Sequence, residues 1–224
     1  MSYDILLLDN DRTLLDFDKG EKKAVTDSLK SFKVKANNKI CKDYAEINNS
    51  LWLEHEKGLI EKKDLIVKRF KILFEKYSLN IDPVAFSVVY ENNLSKSTQR
   101  IKHAKKLLVK LKKLGKRVYV VTNGTATVQN SRLNLSGLRK YFSGVFISEE
   151  IGYAKPDARY FEYCFNHIDN FDKEKTLLVG DSESADIQGA KNAGIKSCLF
   201  SPQGIKPTQA DYVITDLLQL LKII

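Results

Sequence analysis

Residues 3–17 read YDILLLDNDRTLLDF. The apolar run Ile5–Leu8 is too short for a stable helix and stops abruptly at two acids one residue apart, Asp9 and Asp11. This pattern predicts a buried strand with acids at its carboxyl end. In open α/β sheets, ligands bind in the crevice beyond the carboxyl ends of the parallel strands. The chain is therefore expected to open on an active site.

Beyond this strand the chain passes through Asn10, Asp11, Arg12 and Thr13 into a stretch, 17–96, that is helical in character almost throughout. Its Lys/Glu-rich faces alternate with apolar positions such as Ala24, Leu29, Phe32, Leu51, Leu65, Phe70, Leu73 and Phe74. Gly58 and the pair Asp82-Pro83 mark turns between helices. This segment is expected to be an all-α insertion, with residues 1–16 and 97–224 forming the second domain.

From Gln99 the pattern alternates between the two periods. Ile101, Ala104, Leu107, Leu108, Leu111 and Leu114 share one helical face, and Gly115 stands where a C-cap belongs. Strands are expected at 118–121, 145–147, 176–179, 197–200 and 212–214. Helices are expected at 127–135, after GYAKPDARYF through Phe165, and at 186–193, closed by Gly194. Strands and helices of these lengths predict an α/β domain with a parallel sheet covered on both faces.

Composition excludes several classes. The 224 residues and 43% apolar content are those of a folded globular chain with one substantial core and room for an insertion. No basic, cleavable leader and no apolar run of roughly 18 residues is present, so a cytoplasmic protein without membrane association is expected. Cys41, Cys164 and Cys198 are scattered and lack any CxxC spacing, so buried, reduced thiols are expected. The formal net charge of +9 comes mostly from Lys interspersed with Glu and Asp on helical faces, as in EKKDLIVKRFK. No Arg-rich arm or aromatic RNA-binding signature accompanies it, so no specific nucleic-acid partner is expected. A basic surface does attract anionic substrates such as phosphate esters.

Four polar signatures follow apolar strands or the loops after them: Asp9/Asp11/Thr13, Thr122-Asn123, Lys155-Pro156-Asp157, and Gly180-Asp181 with Asp186. Each alone also reads as a solvated turn, a surface loop or an acid at a helix N-terminus. Together, in a parallel sheet, they converge on one rim. A site gathering three or four carboxylates and one lysine calls for a cation, and a hard, oxygen-rich site beside a phosphate suits Mg²⁺.

The order and spacing of these signatures resemble the haloacid dehalogenase-like hydrolase superfamily. Its four motifs correspond here to DNDRT at 9–13, VVTNG with Thr122, YAKPD with Lys155, and VGDSESADIQGAKNAG. The resemblance implies a Rossmann-like core and, in the helical insertion, a cap domain of the C1 type. It implies that Asp9 is the nucleophile, forming an aspartyl-phosphate, and that Asp11 protonates the leaving group and later activates water. Asp9, Asp181 and the Asp11 main-chain carbonyl are implied Mg²⁺ ligands, with Asp186 bound directly or through water. Thr122, Asn123 and Lys155 are implied to bind or orient the phosphoryl group, with Thr13 orienting the loop. Halide departure needs no proton donor, so an acid at Asp11 points to phosphoryl transfer and away from dehalogenation. Arg12 departs from the small or acidic residues usual at its place and is expected to point away from phosphate, or else to touch the following flap or the substrate.

Within the insertion, YAEINNSLWLEHEKGLI, together with LLDFDKGE and FISEEIGYAKPD, is similar to the bacterial non-canonical pyrimidine nucleotidases. That similarity implies a nucleoside 5'-monophosphate as substrate, with Tyr44, Trp52 and His55 as candidates for contact with base or sugar. Trp52 and Leu53 read more readily as cap core. Sugar-phosphate or phosphoglycolate phosphatase, phosphomutase, and a basic nucleic-acid-binding or regulatory protein on an inactive hydrolase fold are the alternatives.

Overall fold

The computed structural model describes residues 3–204 and 207–224. The chain divides into two compact units, Met1–Phe17 with Thr98–Ile224, and Asp18–Ser97.

The first unit is built on six strands: β1 (Ile5–Leu8), β2 (Arg117–Thr122), β3 (Gly144–Ile147), β4 (Thr176–Gly180), β5 (Lys196–Phe200) and β6 (Tyr212–Ile214). They lie in the order β3-β2-β1-β4-β5-β6, and every neighbouring pair is parallel. Burial on both faces explains the unbroken apolar run of β1. Leu6 and Leu8 enter one core with Val118, Val120, Leu177 and Val179. Ile5 and Leu7 enter the opposite core with Tyr119, Val121 and Leu178. Each such leucine contributes roughly 1.5–3 kcal/mol by leaving water.

Helices α1 (Phe17–Ser31), α2 (Asn38–Glu56), α3 (Lys62–Tyr77) and α4 (Pro83–Ser95) make the inserted unit all-helical. Asp82 caps α4 by accepting from the Val84 and Ala85 amides, with Pro83 at the first helical position. The interior is aromatic. Phe70 stacks on Tyr44 at 5.3 Å and meets Phe86 at 4.8 Å and Tyr90 at 5.1 Å. The Arg69 guanidinium lies over the Phe70 and Tyr90 rings, at 4.9 and 4.8 Å.

The sheet is covered by α5 (Ala104–Lys113), α6 (Ala126–Leu135), α8 (Ala158–Asn166) and α9 (Gln188–Ala193), and the short α7 (Ser148–Ile151) follows β3. Three local expectations need correction. The insertion breaks at 33–37, where Lys33 takes φ 60° between α1 and α2. Helix α5 starts at Ala104 because His103 sits at φ 68°, and Ile101 instead bonds through its amide to the Leu14 carbonyl. The helix expected from Asp186 begins earlier, as a π-type turn over Glu183–Ile187. All three cysteines are buried and unpaired.

Candidate active site

Strand β1 lies between β2 and β4, with Leu8 level with Val120 and Val179. The chain therefore delivers Asp9 to the rim beside Thr122 and beside Gly180-Asp181. This is the point where the strand order reverses, and there the crevice opens. The Asp9 amide donates to the Val179 carbonyl, which extends the strand pairing by one residue and fixes where its carboxylate starts.

Lys155 reaches the same point from the loop before α8. It is 2% exposed. Its Nζ donates to Asp9 Oδ1 and Asp186 Oδ1, each at 2.7 Å, and to the Val121 carbonyl at 3.0 Å. Asn123 places the lysine's backbone. It donates to the Lys155 carbonyl at 2.8 Å and accepts from the Lys155 amide at 2.9 Å. Both ends of its side chain are thus engaged by Lys155, which makes Asn123 a positioning group for the lysine. Thr122 is 2% exposed, and its amide donates to Tyr160 Oη, which in turn donates to the Phe146 carbonyl.

Asp181 and Asp186 follow β4. The Ser182 amide donates to Asp186 Oδ2 at 3.1 Å, and Thr13 Oγ1 donates to Asp181 Oδ1 at 3.4 Å. Gly180 is required here for space. A β-carbon at this position would lie 2.7 Å from Asp186 Cβ and overlap its carboxylate.

Asp9, Asp181 and Asp186 each offer one oxygen, all within 4.8 Å of one another. Burial pushes the Asp9 carboxyl well above its ordinary value, Lys155 opposes this, and Asp186 and Asp181 add to it. Burial and then Asp186 push Asp181 up to about 7, against Arg12 and Lys155. Burial disfavours charge on Lys155, but Asp186 and Asp9 outweigh it and hold the ammonium protonated. One lysine does not balance three carboxylates, so a dication held by oxygen ligands fits the donor set.

The second acid has different surroundings. Asp11 Oδ2 accepts from Gln129 Nε2 at 2.7 Å, and Asp11 Oδ1 accepts from Arg132 Nη1. Its side chain is thus outside the Asp9-Asp181-Asp186 cluster. Sequence reading missed Gln129, Arg132 and Tyr160. The spacing of Gln129 and Arg132, one turn apart on the first helix after β2, was the available signal. Arg12 takes φ 62°, with its guanidinium 5.0 Å from the Phe17 ring centre, and its charge opposes the rise at Asp181.

In the inserted unit the three candidates separate. Tyr44 is 0% exposed, stacked inside the aromatic core, and is a packing residue. Trp52 and His55 are half-buried and meet edge to face at 5.6 Å, with His55 Nδ1 2.9 Å from the Ile60 carbonyl.

A parallel sheet whose strand ends collect a buried carboxylate, a lysine and an acidic cluster, with a helical unit inserted after the first strand, defines a class of hydrolase. The chain belongs to the haloacid dehalogenase-like hydrolase family, which it matches over residues 6–200. It is 40% identical to the pyrimidine 5'-nucleotidase PynA of Streptococcus pneumoniae, across 99% of this chain and 96% of that protein. It is 32% identical to the pyrimidine 5'-nucleotidase YjjG of Escherichia coli, across 99% of both. The crystal structure of the putative hydrolase YfnB of Bacillus subtilis, bound to magnesium, superposes with a TM-score of 0.94 at 33% identity, covering 100% of this chain and 99% of that one.

Proposed function

We propose that the protein is a Mg²⁺-dependent phosphomonoesterase acting on nucleoside 5'-monophosphates, pyrimidine nucleotides foremost. The observation that carries the chemistry is the division of labour between the two acids of β1's end. Asp9 is paired with buried Lys155, while Asp11, two residues on, is held by a separate pair of donors. The substrate class rests on the two pyrimidine nucleotidase relatives.

An Asp9 oxygen attacks phosphorus in line. As the Asp9–phosphorus bond forms, the ester P–O bond breaks, and Asp11 gives its proton to the departing nucleoside oxygen. Asp11, now a carboxylate, takes a proton from water as that water attacks phosphorus. The Asp9–phosphorus bond then breaks, phosphate leaves and both acids are restored. Lys155 and the Thr122 region meet the phosphoryl oxygens, where negative charge concentrates during transfer. Asp9, Asp181 and Asp186 would hold Mg²⁺, whose role when bound is to neutralise charge on the phosphoryl oxygens.

The test is phosphate release from nucleoside monophosphates, sugar phosphates and phosphoglycolate, with Mg²⁺ or excess EDTA. Mg²⁺-dependent release concentrated on pyrimidine monophosphates is expected. Release from sugar phosphates alone would keep the chemistry and overturn the substrate, and silence on every ester would overturn both.

A further inference from the structure

Asp11 lies three residues past the end of β1, and its carboxylate is held from α6, 118 and 121 residues further along the chain. Gln129 and Arg132 stand one turn apart there, so both side chains leave the same face and each takes one oxygen of the carboxylate. The orientation of the Gln129 amide is fixed from behind, because Asn10 Nδ2 donates to its Oε1 and so turns its Nε2 toward Asp11. Asn10 is 0% exposed and Gln129 1%, so the relay runs through the interior.

Arg132 is the unusual member. Its side chain is 0% exposed, its guanidinium lies 5.7 Å from the Phe17 ring centre, and its Nε and Nη2 find no hydrogen-bond partner among the described residues. A buried guanidinium is costly without a counter-charge, and Asp11 is the carboxylate it meets. Gly124 belongs to the same construction. Its backbone has an ordinary φ, but a β-carbon there would lie 2.8 Å from Cγ and Cδ of Gln129. The glycine of TNG thus leaves room for the glutamine that orients the acid.

We propose that Gln129 and Arg132 are positioning residues that act through Asp11, aiming its carboxyl at the leaving-group oxygen, with Asn10 and Gly124 setting Gln129. This rests on the phosphomonoesterase reading. A side chain swung out of line by about 1 Å loses much of its effect as a proton donor. Loss of aim should therefore matter where the leaving group needs a proton, as a nucleoside alkoxide does, and little where it does not, as with dinitrophenolate. The quantity to read is kcat/KM, because it reports only the steps through leaving-group departure and excludes later hydrolysis of the aspartyl-phosphate.

The experiment compares Gln129→Leu, Arg132→Met and Arg132→Lys with the wild type on a pyrimidine nucleoside monophosphate and on 2,4-dinitrophenyl phosphate. Gln129→Leu changes no charge and keeps the test open should Arg132→Met not fold. The expected result is a roughly 10- to 100-fold fall in kcat/KM on the nucleotide, within the range general acid catalysis supplies, and less than about threefold on the aryl ester. KM should stay nearly constant. In an Asp11→Ala background neither second change should lower the remaining rate. Equal losses on both esters, or losses that multiply with Asp11→Ala, would overturn the positioning role while leaving the phosphatase reading intact. A wild type silent on both esters would overturn the phosphatase reading and this role with it.

Discussion

Lys155 Nζ lies 2.7 Å from Asp9 Oδ1, across 146 residues of chain, and 2.7 Å from Asp186 Oδ1. The lysine is the internal cation of a carboxylate cluster. Replacing it by methionine would leave two buried acids unpaired, and removing one partner of a buried pair costs about 3–5 kcal/mol. Lys155→Met is expected to lose that much in urea denaturation without metal, and adding Asp9→Asn should restore part of it. A loss below about 1 kcal/mol would show that water reaches the cluster.

If the proposed site is right, the cluster of Asp9, Asp181 and Asp186 should make the folded protein a better Mg²⁺ ligand than the unfolded chain. Saturation to a hundredfold above Kd adds about 2.7 kcal/mol, seen as a rise in Tm. Scanning calorimetry with and without MgCl₂ should show the rise in the wild type and lose most of it in Asp181→Asn. The same rise in both proteins would place the cation elsewhere.

Gly180→Ala asks whether the close approach of Asp186 matters. The added methyl overlaps the carboxylate and must push it from Lys155. Turnover is expected to fall at least tenfold, as for a displaced second ligand or its support, with the far-UV spectrum unchanged. Full activity would show that Asp186 relaxes without consequence.

The fold and the rim of the candidate site are legible in the sequence wherever a signal is local. Ile5–Leu8 stops at Asp9 because the strand stops there, and the same reading located Thr122, Asp181 and Asp186. The spacing of Gln129 and Arg132 puts them on one helical face, but their role is not legible from that alone, since it depends on α6 bringing them to the segment that follows β1. Tyr44 misled for the opposite reason. An aromatic residue in a helical insertion suits stacking on a base as well as on Phe70, and only packing distinguishes them. The late start of α5 reflects His103 at φ 68°, a conformation that apolar periodicity does not report.

His103 also takes part in a surface clasp. Asp216 caps the 3₁₀ turn Leu217–Lys222 through the Leu218 amide at 2.8 Å and lies 2.7 Å from His103 Nδ1. Partial burial works to raise its carboxyl, but the Leu218 amide and then His103 outweigh it and lower it from 3.8. A lowered native value means stability that is present above the unfolded value and lost as the pH falls through the native one. Asp216→Ala should therefore be less stable than wild type at pH 7, with the gap closing below about pH 4. A gap that persists unchanged at pH 3 would mean that the charge is not what caps the turn.

The most direct measurement is acid quenching during turnover of 2,4-dinitrophenyl phosphate by the Asp11→Asn variant, followed by peptide mass spectrometry. Dinitrophenolate leaves without a proton, while Asn at position 11 takes none from the attacking water, so the intermediate should form and accumulate. The expected result is one phosphoryl group on the peptide carrying Asp9, lost when Asp9 is replaced by asparagine. Turnover with that peptide unmodified, or the phosphoryl group on another residue, would contradict the account at its centre.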